Sequence, residues 1–269
     1  VIVYDNLVQG SDEWLEQRRG MVTASAVGQL VSARALTAAE LPCPACGAGI
    51  DEACRSKARA GAVIKTFHPE RAAAARDSGV TVVAPAANPE SKTLAALLAA
   101  ERITGWSDPA YISDDMLRGI DDEPVARGLY SRHYAPATEV GFMVEDRWGF
   151  QIGYSPDGLV GDDGLIEIKS RRAKAQLATI LADEVPAENM AQLQCGLLVS
   201  GRDWIDYVSY CGGMPLWVKR VYPQAHWFAA IETTATLFEA AVTDMIGNYR
   251  RLIAHLHPTE RRTELELTL

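Results

Sequence analysis

Two rhythms of apolar and polar residues alternate along the chain, one helical and one strand-like. Residues 93–104, TLAALLAAERIT, keep their apolar side chains on one face of a helical repeat and stop at Gly105. Residues 115–135 predict a second long helix running through Glu123-Pro124-Val125-Ala126, and residues 138–169 predict a run of β-strands. Residues 187–200, AENMAQLQCGLLVS, predict a helix that turns Met190, Leu193, Leu197 and Leu198 toward a core. Strand-like alternation returns over 204–222, and 225–256 reads as a long closing helix. Near the start, Ser11 is placed to cap a helix carrying Trp14, Leu15 and Arg18, and Thr23 or Ser25 to cap another. This order implies an α/β fold, a central mixed sheet flanked by helices.

Two stretches break the pattern. Residues 41–72, LPCPACGAGIDEACRSKARAGAVIKTFHPER, are polar and cysteine-bearing, and residues 78–92, SGVTVVAPAANPESK, read as a flexible linker. The expected organisation is a discontinuous core of residues 1–37 and 91–269, an inserted module at 38–75 and a linker at 76–90. No internal repeat and no long low-complexity tract is present.

At 269 residues the chain can bury a substantial core. No apolar run approaches the ~20 residues of a membrane span, and VIVYDNLVQGSDEW lacks the basic and apolar regions of a signal peptide, so a cytoplasmic setting is expected. The net charge of −9 argues against a protein that coats nucleic acid, but clustered carboxylates at a metal site contribute to such a total. Local basic groups remain at Arg18-Arg19, at Lys169 with Arg171, Arg172 and Lys174, and at Lys219-Arg220.

The densest chemistry lies in residues 155–169, SPDGLVGDDGLIEIK. In the strand Leu165–Lys169, Glu167 and Lys169 share one face while Ile166 and Ile168 share the other. The GDDG segment at 161–164 predicts a hairpin turn that folds this strand back beside Asp157. Asp157 and Glu167 then share a hard divalent cation, with the Lys169 ammonium beside the attacking water, as phosphodiester hydrolysis requires. A surface hairpin with solvated charges is the competing reading. The strand is followed by a glutamine-bearing helix in which Gln192 and Gln194, two residues apart, cannot share a face.

Three of the five cysteines, Cys43, Cys46 and Cys54, fall within twelve residues, and His68 follows. In a reducing compartment such clustering points to metal rather than disulfides. Three thiolates and an imidazole form a Cys3His set for structural Zn²⁺, whose binding can supply the folding energy of so polar a segment. Arg55, Lys57, Arg59, Lys65 and Arg71 are interleaved. An iron–sulfur cluster would need a fourth thiolate from Cys195 or Cys211, which are otherwise expected to be buried thiols. Trp14 is expected in the core, and His133, His226, His255 and His257 have no ligand-like spacing.

Four segments, GSDEWLEQRRGMVTAS (10–25), RGIDDEPVAR (118–127), GYSPDGLVGDDGLIEIK (153–169) and NMAQLQCGLLVS (189–200), resemble in order and spacing the lambda-exonuclease family, the YqaJ-type viral recombinases of the PD-(D/E)xK nucleases. Residues 43–68 resemble small CPxCG-type zinc fingers. The nuclease resemblance implies a restriction-endonuclease-like core in which Asp157 and Glu167 bind catalytic Mg²⁺, or Mn²⁺ in its place. It implies Lys169 as the assistant of the nucleophile, Glu123 as an acidic residue near a second metal, and the Ile168 carbonyl as a further ligand. Gln192 would orient the water or the lysine, with Gln194 the weaker candidate. Arg18 and Ser25 would hold the 5′ phosphate of a DNA end, with Ser155 approaching phosphate. The implied activity is 5′→3′ degradation of duplex DNA ends, leaving 3′ tails for a single-strand annealing recombinase, by a ring-shaped trimer of phage or prophage origin. An endonuclease or nickase, or a zinc-finger binding module on an inert nuclease core, are the alternatives.

Overall fold

The computed structural model describes residues 1–59, 61–109 and 111–260. The chain opens with β1 (Ile2–Tyr4), α1 (Asp12–Arg18), β2 (Val22–Thr23), the short α2 (Ala24–Val27) and β3 (Val31–Ala35). After a 3-10 turn at Ala38–Glu40 come α3 (Pro69–Asp77), β4 (Thr81–Pro85), α4 (Pro89–Thr104) and α5 (Asp114–His133). Strands β5 (Phe142–Glu145), β6 (Ile152–Tyr154), β7 (Gly158–Val160) and β8 (Gly164–Ser170) follow. Then come α6 (Ala173–Ala182), α7 (Ala187–Ser200), β9 (Trp204–Tyr210), β10 (Trp217–Val221) and α8 (Ala225–Leu252). No helix of the described residues is long and apolar enough to cross a membrane.

The expected mixed α/β architecture is present, with the sheet divided in two. One sheet runs β1-β5-β6-β2 and the other β10-β9-β8-β7, each antiparallel except for the parallel pairs β2/β6 and β8/β9. The chain passes from the first sheet to the second at Ser155-Pro156-Asp157, where Pro156 has no N–H to give to a ladder. The acidic loop therefore lies where the two sheets meet.

Helix α7 unites them. Its Leu193, Cys195, Leu197, Leu198 and Val199 are buried in one cluster with Ile152 and Tyr154 of the first sheet, Leu165, Ile205 and Tyr207 of the second, and Trp227 and Ile231 of α8. Gly196 permits the closest approach, because a Cβ there would stand 2.7 Å from the Tyr154 ring. On the opposite face of the second sheet, Ile166, Ile168 and Val208 pack against Ala126 and Tyr130 of α5. The alternation read along β8 thus places α5 on one face and the side chains of Glu167 and Lys169 on the other.

The N-terminal half departs from the sequence reading in three places. Helix α4 begins four residues earlier than 93, because Asn88 Oδ1 accepts from Ser91 N (2.8 Å) and Pro89 occupies the first turn. The stretch 76–90 is not a flexible linker: its β-branched run forms β4, which pairs antiparallel with β3 from Val31↔Pro85 to Ala35↔Thr81. Strand β3 had no sequence signal because four of its five side chains are exposed and its partner lies far along the chain. The cysteine-bearing segment therefore stands on a two-stranded ribbon, anchored where Val31 enters the main core.

Candidate active site

Gly161, with a φ of +54°, starts the turn that returns β8 beside β7, pairing Gly158 with Ile166 and Val160 with Gly164. Asp157 then faces the middle of β8, and its Oδ2 accepts from Ile168 N at 2.6 Å. The neighbouring Glu167 is 2% exposed and accepts three hydrogen bonds. Its Oε1 takes Lys169 Nζ (2.7 Å) and Gln192 Nε2 (2.5 Å), and its Oε2 takes the Tyr154 hydroxyl (3.1 Å). Asp157, Glu167, Lys169 and Gln192 are thus one constellation. Gln194 is elsewhere, buried between Tyr222 O and Gln224 N.

Glu123, on α5, is tied to Asp157 through Arg127. Its neighbour one helical turn on, Arg127, donates to a Glu123 carboxylate oxygen, to Asp157 O (2.6 Å) and to Glu139 Oε2 (3.0 Å). The electrostatics are those of crowded carboxylates. Burial, then the charges of Glu167 and Glu123, push the Asp157 carboxyl well above the usual carboxylate range. Glu123 is raised too, first by burial, with Glu167 and Glu139 adding and Arg127 opposing. Burial disfavours the Lys169 ammonium, but Glu167 and Asp157 outweigh it and hold Nζ protonated above its ordinary range. Oxygen donors that repel one another this strongly fit a hard divalent cation, which relieves the repulsion.

Arg18, Ser25 and Ser155 are linked through Trp14 and Thr23. The Arg18 guanidinium lies 4.2 Å over the Trp14 ring and donates to Thr23 Oγ1 (3.4 Å), which is 3.1 Å from Ser25 Oγ. Trp14 is buried, as expected, and its Nε1 also donates to Ser155 Oγ (2.8 Å). Among the described residues Arg18 makes no salt bridge; on this helix it is Arg19 that meets Glu16, at 3.9 Å. Burial lowers the Arg18 pKa, with the charge of Glu101 opposing. A half-desolvated guanidinium without a carboxylate beside two hydroxyls is chemically suited to phosphate.

The ligand atoms of Cys43, Cys46, Cys54 and His68 all lie within 4.8 Å of one another. The Cys46 thiol is drawn down to about 6 by the backbone N–H groups of Arg55 and Ala48, which favours the thiolate that a metal needs. Cys195 is instead buried in the main core, its thiol pushed up to about 12 by burial. The four-residue set therefore matches zinc chemistry without a fourth thiolate. Behind it, Arg71 is fully buried and donates to the carbonyls of Ala39, Leu41, Gly49 and Glu52 and to Cys54 Sγ (3.7 Å).

Three residues of these sites escaped the sequence reading. Arg127 was legible in principle, four residues after Glu123 on a predicted helix. Tyr154 carries no spacing signal of its own, and Arg71 reads as one of several interleaved basic residues.

Residues 73–203 match the YqaJ-like viral recombinase domain, and residues 12–92 match a family described as "Putative DNA-binding phage zinc finger domain". The second match takes in the Arg18 and Ser25 segment as well as the cysteines. Among solved structures, the alkaline exonuclease LHK-Exo from Laribacter hongkongensis is 26% identical with a TM-score of 0.66, over 92% of this chain and 100% of that one. Its complex with dAMP is similar at a TM-score of 0.64, with the same identity and coverage. A phage-related exonuclease from Haemophilus somnus 129PT shares the fold at 10% identity and a TM-score of 0.50, over 85% of this chain and 96% of its own. No curated protein matches the chain.

Proposed function

We propose that this chain, whose residues 73–203 match the YqaJ-like viral recombinase domain and whose fold is similar to that of an alkaline exonuclease, is a Mg²⁺-dependent exonuclease that degrades linear duplex DNA from its ends. The observation that carries the reading is the Glu167 carboxylate, held by Lys169, Gln192 and Tyr154 beside Asp157. That is more order than a solvated surface hairpin would impose.

Asp157, Glu167 and Glu123 would supply the oxygen donors for the cation, with the Ile168 carbonyl as a further ligand. When bound, a divalent cation activates water and neutralises charge on the phosphodiester. The protonated Lys169 holds a positive charge beside the site and can donate to the attacking water or to the phosphate. Gln192 and Tyr154 fix the rotamer of Glu167 and, with Lys169, leave one lone pair, on Oε2, that a bound cation would use. Arg18 and Ser25 receive the terminal 5′ phosphate, and Ser155, held by Trp14, lies between that pocket and Asp157. The complex of the Laribacter relative with dAMP, a DNA mononucleotide, supports nucleotide recognition by this fold.

In this reading residues 1–37 and 91–269 form the nuclease domain, and 38–75 a zinc module carried on the β3/β4 ribbon. Cleavage runs 5′→3′ and leaves 3′ tails for an annealing recombinase, with a homotrimeric ring keeping the enzyme on DNA in the host-cell cytoplasm.

The test is digestion of duplexes labelled at one end, with the 5′ terminus phosphorylated or bare. The wild type should release label from the 5′ end first and prefer the phosphorylated terminus. Arg18→Ala should reduce that preference at least tenfold, the weight of a charge-assisted contact of about 1.4 kcal/mol or more. An unchanged preference would remove Arg18 from the pocket, and release from the 3′ end would reverse the polarity.

A further inference from the structure

We propose that Arg127 is a positioning residue that presets the catalytic metal site by tying Glu123 to the backbone of Asp157. The proposal rests on the metal-site reading given above and deepens it.

A guanidinium is a rigid planar fork, and here each nitrogen meets a different element. Nε donates to the carbonyl of Asp157 on the loop between the two sheets, at 2.6 Å. One terminal nitrogen donates to Glu123 on its own helix, and the other to Glu139 Oε2, at 3.0 Å, on the segment leading into β5. The side chain is 13% exposed, which shields the bonds to Asp157 and Glu123, whereas Glu139 itself is 68% exposed.

Arg127 also stands on a fixed base. Three residues on along α5, buried Tyr130 donates to Asp206 Oδ2 of β9 (2.6 Å), and Asp206 is gripped by Arg220 at 2.8 and 2.9 Å. Helix α5 therefore cannot slide on the second sheet without breaking a buried network.

What this arrangement does follows from charge and geometry together. Asp157, Glu167 and Glu123 repel one another, and among the described residues two protein cations meet them, Lys169 at Glu167 and Arg127 at Glu123. Repulsion would turn Glu123, the one on a helix and 24% exposed, outward to solvent. Arg127 counters this by engaging Oε1 of Glu123, while among the described residues Oε2 takes no hydrogen bond, and a carboxylate has lone pairs to spare for a second partner. The same fork fixes the carbonyl of the residue whose side chain is a metal donor. Arg127 thereby sets the spacing of Glu123 from Asp157 before any cation arrives. Orienting groups of this kind alter metal affinity by about 10- to 100-fold when removed.

A competing effect has the opposite sign. A fixed positive charge near a cation site repels the cation, so a purely electrostatic Arg127 would weaken binding. The two accounts part on substitution. Lysine keeps the charge but cannot span three acceptors, whereas alanine loses both.

The experiment is Mn²⁺ binding by calorimetry to DNA-free wild type, Arg127→Ala, Arg127→Lys and Asp157→Asn proteins, each checked by thermal unfolding without metal. Mg²⁺ titrations of cleavage are run alongside. Both Arg127 variants should bind Mn²⁺ at least tenfold more weakly and need correspondingly more Mg²⁺, with DNA affinity unchanged. Wild-type affinity in Arg127→Ala, tighter binding in it, or full rescue by lysine would each overturn the proposal. Should the alanine variant fail to fold, the lysine variant carries the comparison. If the wild type binds no Mn²⁺ and matches Asp157→Asn, the metal-site reading itself has failed, an outcome distinct from failure of the role of Arg127.

Discussion

Asp157 shows how much of the proposed chemistry is fixed at single residues. Its spacing to Glu167 and Lys169 and its closing hairpin were legible in fifteen residues, because strand alternation and turn chemistry are local rules. Tyr154 and Arg127, which tune the site, were not, since they reach it only through tertiary packing, and Gln192 was implied by the family resemblance alone. Those partners have a consequence for pH. Burial beside Glu167 and Glu123 lets Asp157 keep its proton well above the ordinary carboxylate range. A carboxyl that ionises more readily unfolded than folded stabilises the fold fully below its unfolded pKa of about 4, and that stability is lost as pH rises toward the folded pKa. Metal-free protein should therefore lose stability with rising pH more steeply than Asp157→Asn does. Mg²⁺ should raise the melting temperature of the wild type most at the alkaline end. Parallel pH profiles of the two proteins, or a Mg²⁺ gain that shrinks with pH, would contradict the assigned charge state.

Elements were read best where a full amphipathic face was present. Helix α7 was predicted at its observed bounds, Ala187–Ser200, because its apolar side meets both sheets. The β3/β4 ribbon was not seen, because it buries little and its pairing is non-local. It lifts the cysteine module away from the core, and the module has a small interior of its own around Cys43, Ala48 and Cys54. Two cations substitute there for a hydrophobic core: the zinc that the Cys3His set would hold, and Arg71, which holds four carbonyls. Three thiolates and Zn²⁺ carry a net −1, so the buried guanidinium against Cys54 is balanced when the metal is present. Arg71→Ala should destabilise the module by on the order of 3 kcal/mol and speed zinc loss to a chromogenic chelator, while the core melts as before. Chelator kinetics equal to wild type would show that Arg71 does not support the metal.

At the scale of the whole molecule, two sheets meet at one acidic loop, and the parts of the site arrive from both. Arg18 and Ser25 come from the first layer, Asp157 from the junction, Glu167 and Lys169 from the second sheet, Gln192 from the helix that joins the sheets, and Glu123 from the helix behind. A division of one expected sheet into two could not be read from strand periodicity, which is blind to where a ladder ends; Pro156 was the one residue that marked the place. The measurement that tests the account most directly is digestion of linear and covalently closed duplex DNA by wild-type and Lys169→Ala protein, in Mg²⁺ or in EDTA. The account predicts Mg²⁺-dependent loss of the linear DNA alone. It also predicts a fall of at least about 10³-fold in the variant, the scale of removing a preorganised charge from a reacting phosphate, with DNA binding retained. Cleavage of closed circles, or undiminished cleavage by Lys169→Ala, would contradict it.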